Sequence, residues 1–279
     1  VTERPRQLWD TDAEREAFRS TFDEDADAYD RSRPVAPSHV FDDAAQLAHL
    51  TTGSRVLEIG PGTGQATRQL AERGLRVRAL ELGPSLAERA RRNLAEFSDV
   101  DVVTSSFESW AAGGERFDAV FACNSFHWVD HAVRFAKPAE LLADGGHLVV
   151  LATPWVTPDD ADPFWWDVQD DYVAVGGEYV DPATNHPDLI GDLAPLIRKS
   201  GYYEEPETRR FRFDVKFTAD GYATNLSTQS GFKAFDEPAQ TELLSRVRHR
   251  IEARGGTITA HLLAILTVAK VKPAEMPAR

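Results

Sequence analysis

The stretch RVLEIGPGTGQATRQL, Arg55 to Leu70, sets an acid, Glu58, two residues ahead of three alternating glycines, Gly60, Gly62 and Gly64. Glycines so spaced let the backbone turn sharply and meet a ligand without a Cβ in the way, and the N–H groups opening the next helix point into the same space. The chemistry on offer is binding, with main-chain donors and one carboxylate gathered at the end of an apolar strand. A phosphate-cradling P-loop would need G-x-x-x-x-G-K-[ST], and no Lys follows Gly64. A dinucleotide fingerprint spaces its last two glycines by three, and that position is Gln65. The spacing counts against a nicotinamide-dependent oxidoreductase and leaves it as an alternative.

Glu58 narrows the ligand. An acid inside an apolar strand is expensive unless it caps loop amides or meets a cation. S-adenosylmethionine presents an ammonium and a sulfonium and has no phosphates to repel the carboxylate. Glu81 ends the strand LRVRALEL, 21 positions after Gly60, where a carboxylate can accept both ribose hydroxyls, and Leu82 follows it. The other reading of Glu81 is a solvated acid before the next helix.

On these residues, VLEIGPGTG resembles the first motif of class I S-adenosylmethionine-dependent methyltransferases. The resemblance runs in ordered motifs from about Tyr29 to Ala152 and more loosely to the C-terminus. It implies a Rossmann-like α/β fold, a mostly parallel sheet with a reversed last strand, and S-adenosylmethionine as cofactor. In SSFESW, after the third strand, the family commonly has an acid and then an apolar residue at the adenine; here Ser106 stands in the acid's place, with Phe107 next. FDAVFACNSFHWVD delivers Asn124, Ser125, His127 and Trp128 to the carboxyl end of the fourth strand, where open α/β sheets bind ligands. Its FHW segment is similar to that of the trans-aconitate methyltransferase-like branch, whose members also carry a Tyr and an Arg near the N-terminal helix, as in AYDRSRP. By that resemblance Tyr29 and Arg33 cover the methionine end of the cofactor. The implied cofactor set is therefore Tyr29, Arg33, Glu58, Gly60, Gly62, Gly64, Glu81, Leu82, Ser106, Phe107 and Asn124.

Methyl transfer from a sulfonium is an in-line displacement, so positioning dominates. Holding the acceptor ~3 Å from the methyl, in line, can supply up to ~7 to 11 kcal/mol. A base is needed only for a protonated acceptor. His127, with an ordinary pKa of ~6.5, is the candidate, its alternative being to pack and shape the pocket. Cys123 reads as a small buried side chain rather than a nucleophile.

The elements that must position these residues follow from periodicity. From Arg55 to Ala152 short apolar runs alternate with helical patterns, which predicts a parallel sheet with helices on both faces. Phe18, Phe22, Ala26 and Tyr29 recur at helical spacing and predict an N-terminal helix ended by RSRPVAP. RFRFDVKF sets Phe211, Phe213, Val215 and Phe217 against Arg210, Arg212, Asp214 and Lys216, a half-exposed, antiparallel strand. A helix through Leu243, Leu244, Val247 and Ile251 then leads to a last strand, LLAILTVAKV. The expected organisation is an N-terminal helical cover over residues 1–34, a cofactor-binding core over 35–152, an aromatic-rich lid over 153–200 and the rest of the core sheet over 201–279.

The lid stretch crowds Trp155, Phe164, Trp165, Trp166, Tyr172 and Tyr179 together, with Phe164, Val168 and Tyr172 on one helical face. Core packing takes some of these rings. Those left over, Trp155, Trp165 and Trp166 with His127 and Trp128, point to a planar or apolar acceptor. TNLSTQSGF, residues 224–232, is the candidate for the pocket's other side.

Composition bounds the partners. A chain of 279 residues with 42% hydrophobic content can bury a large core, and a formal charge of −14 opposes a nucleic-acid backbone. One cysteine excludes an internal disulfide framework, and the scattered histidines suggest no metal cluster. VTERPRQLWD lacks the apolar core of a signal peptide, and TITAHLLAILTVAKV is shorter than the ~20 residues a membrane span needs, so a cytoplasmic protein with no membrane partner is expected. The expected partner is a small-molecule methyl acceptor, with homo-oligomerisation open. The readings carried forward are methylation of an aromatic or apolar metabolite at O, N or C, carboxyl methylation of trans-aconitate type, a nicotinamide-dependent oxidoreductase and a non-catalytic cofactor-binding module.

Overall fold

The computed structural model describes residues 25–273. Phe18 and Phe22, and with them the start of the expected N-terminal helix, lie outside the described residues; its end is a helix over Ala26–Ser32. The strands are β1 (Arg55–Ile59), β2 (Arg76–Glu81), β3 (Val100–Thr104), β4 (Phe117–Cys123), β5 (Leu142–Ala152), β6 (Trp155–Val156), β7 (Glu207–Thr218) and β8 (Thr257–Lys270).

The chain divides into two compact units. The sheet unit holds Val35–Thr153, Asp192–Phe211 and the chain from Ala264 on. Its strand order is β3-β2-β1-β4-β5-β8, parallel from β3 to β5 and antiparallel between β5 and β8. This is the Rossmann-like sheet with a reversed last strand. Val56, Leu57, Val120, Phe121, Leu148 and Val149 are all fully buried, as strands covered on both faces require. The helix Pro84–Asn93 shows how the covering layer forms: Pro84 opens it, Leu86, Ala87 and Ala90 face inward, and Arg91 and Arg92 oppose the negative C-terminal end of its dipole.

The insert unit holds the described residues up to Pro34, Pro154–Gly191 and Arg212–Leu263. Its core joins Phe164 and Val168 to Leu243, Val247 and Ile251, three residues at helical spacing on Glu237–Ala253. Asp236 caps that helix by accepting the Ala239 N–H at 2.9 Å. In β7, Phe211, Phe213 and Val215 are half-buried and Phe217 is buried, while Arg210, Arg212, Asp214 and Lys216 are exposed, so the alternation is as expected. The last strand starts earlier than its apolar run, at Thr257. Gly255 and Gly256, at φ +96° and +80°, end the preceding helix abruptly and release the β-branched Thr257, Ile258 and Thr259 into extended chain. Among the described residues no helix is long and apolar enough to cross a membrane.

Candidate cofactor site

Between β1 and the helix Gln65–Ala71 the chain needs all three glycines. Gly60, Gly62 and Gly64 lie at φ +64°, +59° and +89°, the left-handed region that side chains rarely adopt. A Cβ on Gly60 would stand 2.7 Å from Ser125 Cβ, and one on Gly64 would stand 2.7 Å from Leu94 Cδ1. The Gly62 N–H donates to Glu81 Oε2 at 2.9 Å, and the Gly83 N–H donates to Glu81 Oε1 at 2.9 Å. The acid expected to meet the ribose thus also fixes the loop. Each of its oxygens can accept more than one hydrogen bond. Leu82 is half-buried just beyond it.

Glu58 is wholly buried on β1, in register with Ala79 of β2 and Phe121 of β4. Among the described residues neither carboxyl oxygen has a hydrogen-bond partner, nor do the buried hydroxyls of Thr63 and Thr67. Burial pushes the acid up to about 7; the nearby Thr67 hydroxyl draws it down somewhat, although no bond of normal geometry forms, and the charge of Glu81 raises it further. One carboxyl and two hydroxyls, buried and unsatisfied under a glycine loop, form a set that a ligand bearing an ammonium would complete. Sequence reasoning missed Thr63 and Thr67. Thr63 lies in the loop before the left-handed Gly64 and Thr67 in the first turn of the helix, so no single period links them in the sequence.

At the end of β4, Asn124 is left-handed at φ +54°. Its side-chain Nδ2 donates to Thr153 Oγ1 at 2.6 Å, and the Thr153 N–H donates to its Oδ1 at 2.7 Å. This reciprocal pair clamps the ends of β4 and β5. Asn tolerates the left-handed region better than other side-chain-bearing residues, and residues in such conformations concentrate at functional sites. Ser125 Oγ donates to the Ile59 carbonyl, tying β4 to the glycine loop. Phe126–Trp128 makes one 3₁₀ turn, with the His127 and Trp128 ring centroids 4.8 Å apart. The buried Arg134 holds this turn from beneath, donating to the His127 carbonyl at 2.9 Å and to the Val129 carbonyl.

His127 keeps contact with solvent, yet protein crowds its imidazole. The crowding, and then the Arg134 charge, push it down to about 4; the remaining solvent access moderates the depression without changing its direction. The ring is neutral at physiological pH and a poor store for a proton. Burial, with Glu58 adding to it, pushes the Cys123 thiol up to about 12, which suits an inert side chain better than a nucleophile.

Ser106 Oγ lies 2.8 Å from Ser109 Oγ and accepts the Ser109 N–H at 3.1 Å, so it caps a turn after β3. Phe107 is 1% exposed and packs in the core of the sheet unit, with the Lys137 ammonium 5.2 Å from its ring centre. That ring is a core side chain.

The other expected residues belong to the insert unit. The Arg33 guanidinium lies 4.9 Å from the centre of the Tyr29 ring and donates to the Thr228 carbonyl at 2.8 Å. Asn225 Nδ2 donates to the Ser32 carbonyl at 2.9 Å, so residues 224–232 anchor the first helix. Trp155 stacks on Phe217 at 5.8 Å and meets Trp165 edge-on at 5.6 Å; Tyr222 touches both. Trp165 Nε1 donates to the Thr259 carbonyl at 3.2 Å, and Trp166 is half-buried. Among the described residues, no three His, Cys, Asp or Glu side chains gather as a metal-binding set.

Residues 56–146 match the family model described as a methyltransferase domain. The chain is 32% identical over 133 residues to an uncharacterised methyltransferase of Mycobacterium tuberculosis, which covers 48% of this chain and 51% of that one. It is 28% identical over 138 residues to the demethylmenaquinone methyltransferase of Tropheryma whipplei, covering 48% and 57%. The chain thus spans about half the length of the curated relatives it matches. Among solved structures, a protein from Anaeromyxobacter dehalogenans assigned as a type II methyltransferase superposes with a TM-score of 0.63 at 18% identity, over 87% of this chain and 99% of that one. A methyltransferase from Thiobacillus denitrificans, solved with S-adenosylhomocysteine, superposes at 0.51 and 16% identity, over 90% and 97%. The sheet order, the left-handed glycine loop and the family match over the segment that builds them agree: residues 56–146 are a methyltransferase domain of Rossmann-like fold.

Proposed function

We propose that this chain transfers the methyl group of S-adenosylmethionine to a small metabolite. The observation that carries the reading is Glu58, a buried carboxyl with no hydrogen-bond partner among the described residues, beside a loop of three left-handed glycines. That set fits the cofactor's ammonium and lacks the Lys that a phosphate would call for. Glu58, Thr63 and Thr67 would hold the amino-acid end, the loop amides would line the approach, and Glu81 would meet the ribose hydroxyls. The bound cofactor supplies an activated methyl on a cationic sulfur, so the chain needs no covalent intermediate. Its task is alignment, and the ends of β1, β4 and β5, tied through Ser125 to Ile59 and through Asn124 to Thr153, suit it.

His127 enters this reading as a neutral imidazole. It can accept a hydrogen bond from an acceptor hydroxyl or amine, and its low pKa makes it a weak general base at neutral pH. Acceptors that ionise readily, or that carry a lone pair already, are favoured accordingly. The aromatic richness of residues 153–200 in the sequence supports a planar or apolar acceptor. Carboxyl methylation is the second reading, favoured by the FHW segment alone.

Calorimetric titration with S-adenosylhomocysteine tests the cofactor, and no binding by folded protein would defeat the proposal. Incubating a metabolite extract with isotopically labelled S-adenosylmethionine, read by mass spectrometry, identifies the acceptor. A labelled methyl ester would select the carboxyl reading; binding without any labelled product would favour a non-catalytic module.

A further inference from the structure

We propose that cofactor capture by this domain is proton-coupled: Glu58 carries a proton before the cofactor arrives and releases it to solvent when the cofactor's ammonium is seated. The inference rests on the methyltransferase reading and adds to it a pH dependence set within the protein. Glu58 is wholly buried, and neither of its oxygens accepts a hydrogen bond. Among the described residues, the titratable groups that act on it offer no cation. Glu81, at the end of β2, adds a like charge. On β4 stands the thiol of Cys123, held in its neutral form. The loop and the helix Gln65–Ala71 contribute only the hydroxyls of Thr63 and Thr67, themselves unsatisfied.

An ionised carboxylate in that setting would have neither counter-charge nor donors, so the neutral acid is the stable form. A seated ammonium reverses both terms, supplying a positive charge and N–H donors at the same atoms. The Glu58 O–H bond then breaks, the proton leaves to buffer, and the carboxylate–ammonium pair remains; no other bond changes. The competing outcome is that the ammonium donates to the carbonyl oxygen of a still-neutral acid, with no proton released.

The test is calorimetric titration of the whole chain with S-adenosylhomocysteine, which carries the same ammonium, in two buffers of very different ionisation heat at about pH 6 to 8. The expected result is a buffer-dependent enthalpy corresponding to nearly one proton released at about pH 6 and fading towards pH 8. Affinity should rise up to about tenfold per pH unit below pH 7. Glu58→Gln should bind more weakly and with equal enthalpies in the two buffers. Should that variant not fold, the two-buffer comparison on the unaltered chain decides alone. Tight binding with identical enthalpies in both buffers across the range would overturn the inference and leave the methyltransferase reading standing. No binding at any pH by folded protein would overturn both.

Discussion

Glu81 Oε2 accepts the Gly62 N–H at 2.9 Å, and its other oxygen accepts the Gly83 N–H at the same distance. One carboxylate therefore fixes the loop after β1 to the turn after β2, and both bonds are charge-assisted and nearly out of solvent. Loop geometry and ribose recognition are coupled through this residue, so perturbing it should alter both.

Glu81→Gln keeps the shape but turns one acceptor into an NH₂ group that meets a main-chain N–H head-on. A lost hydrogen bond to a charged group, with an amide left unsatisfied, costs roughly 1.5 to 3 kcal/mol. Urea unfolding of the variant should show a loss of that size, and S-adenosylhomocysteine should bind at least about tenfold more weakly. A variant as stable as the parent would mean that the two amide bonds do not hold the loop.

Gly60 and Gly64 should respond differently to alanine. Both would suffer a left-handed side-chain-bearing residue, costing on the order of 1 to 3 kcal/mol. At Gly60 the new methyl also meets Ser125 Cβ, which the bond from Ser125 Oγ to the Ile59 carbonyl holds against the end of β1. At Gly64 the obstacle is the tip of Leu94, a side chain that can rotate. Gly60→Ala should therefore be the more damaging in denaturant midpoint and in ligand affinity. Adding Leu94→Ala to Gly64→Ala should relieve the contact, though the deleted leucine brings its own cavity cost.

The parts of this site legible in the sequence are those that depend on chain period and backbone freedom. β1 through β5 announced themselves as apolar runs, and the glycines marked the turn because no other residue type fits it at three alternate positions. Glu58 and Glu81 stood out because acids at the ends of apolar strands are costly. What the sequence could not display is which oxygen meets which donor. Glu81 bonding to Gly62, Asn124 pairing with Thr153, and Arg134 bracing His127 all join residues 7 to 29 positions apart in sequence. Phe107 illustrates the opposite limit: a ring beside a binding motif and a ring in the core look the same until packing is known, and its burial puts it in the core.

His127 should stay neutral far below the ordinary histidine range. Crowding and Arg134 push its imidazole down, so protonation is opposed in the folded state, and the stability linked to the neutral ring is fully present above about 6.5 and is lost as the pH falls from there through the folded value. NMR titration of histidine ring carbons should find one resonance that does not move between about pH 7 and 5, and His127→Gln should remove that resonance. A midpoint near 6.5 would restore His127 as an ordinary general-base candidate.

Glu58 supplies the opposite sign. Its carboxyl is raised from 4.5 to about 7 in the folded chain, so between those values the native state binds more protons than the unfolded one. The stability slope with pH is then negative: the contribution is fully present below about 4.5 and is lost as the pH rises through about 7. At about 1.4 kcal/mol per pKa unit, the whole effect is on the order of 3 kcal/mol, since the group has no solvent to screen it. Glu58→Gln removes the titration while keeping the size of the side chain. Denaturation curves of the two ligand-free proteins should nearly coincide at about pH 5 and separate by pH 8, with the glutamine variant the more stable. Were they to run parallel across that range, Glu58 would be ionised in the native state throughout, and a counter-charge for it would have to be sought among the groups around β1.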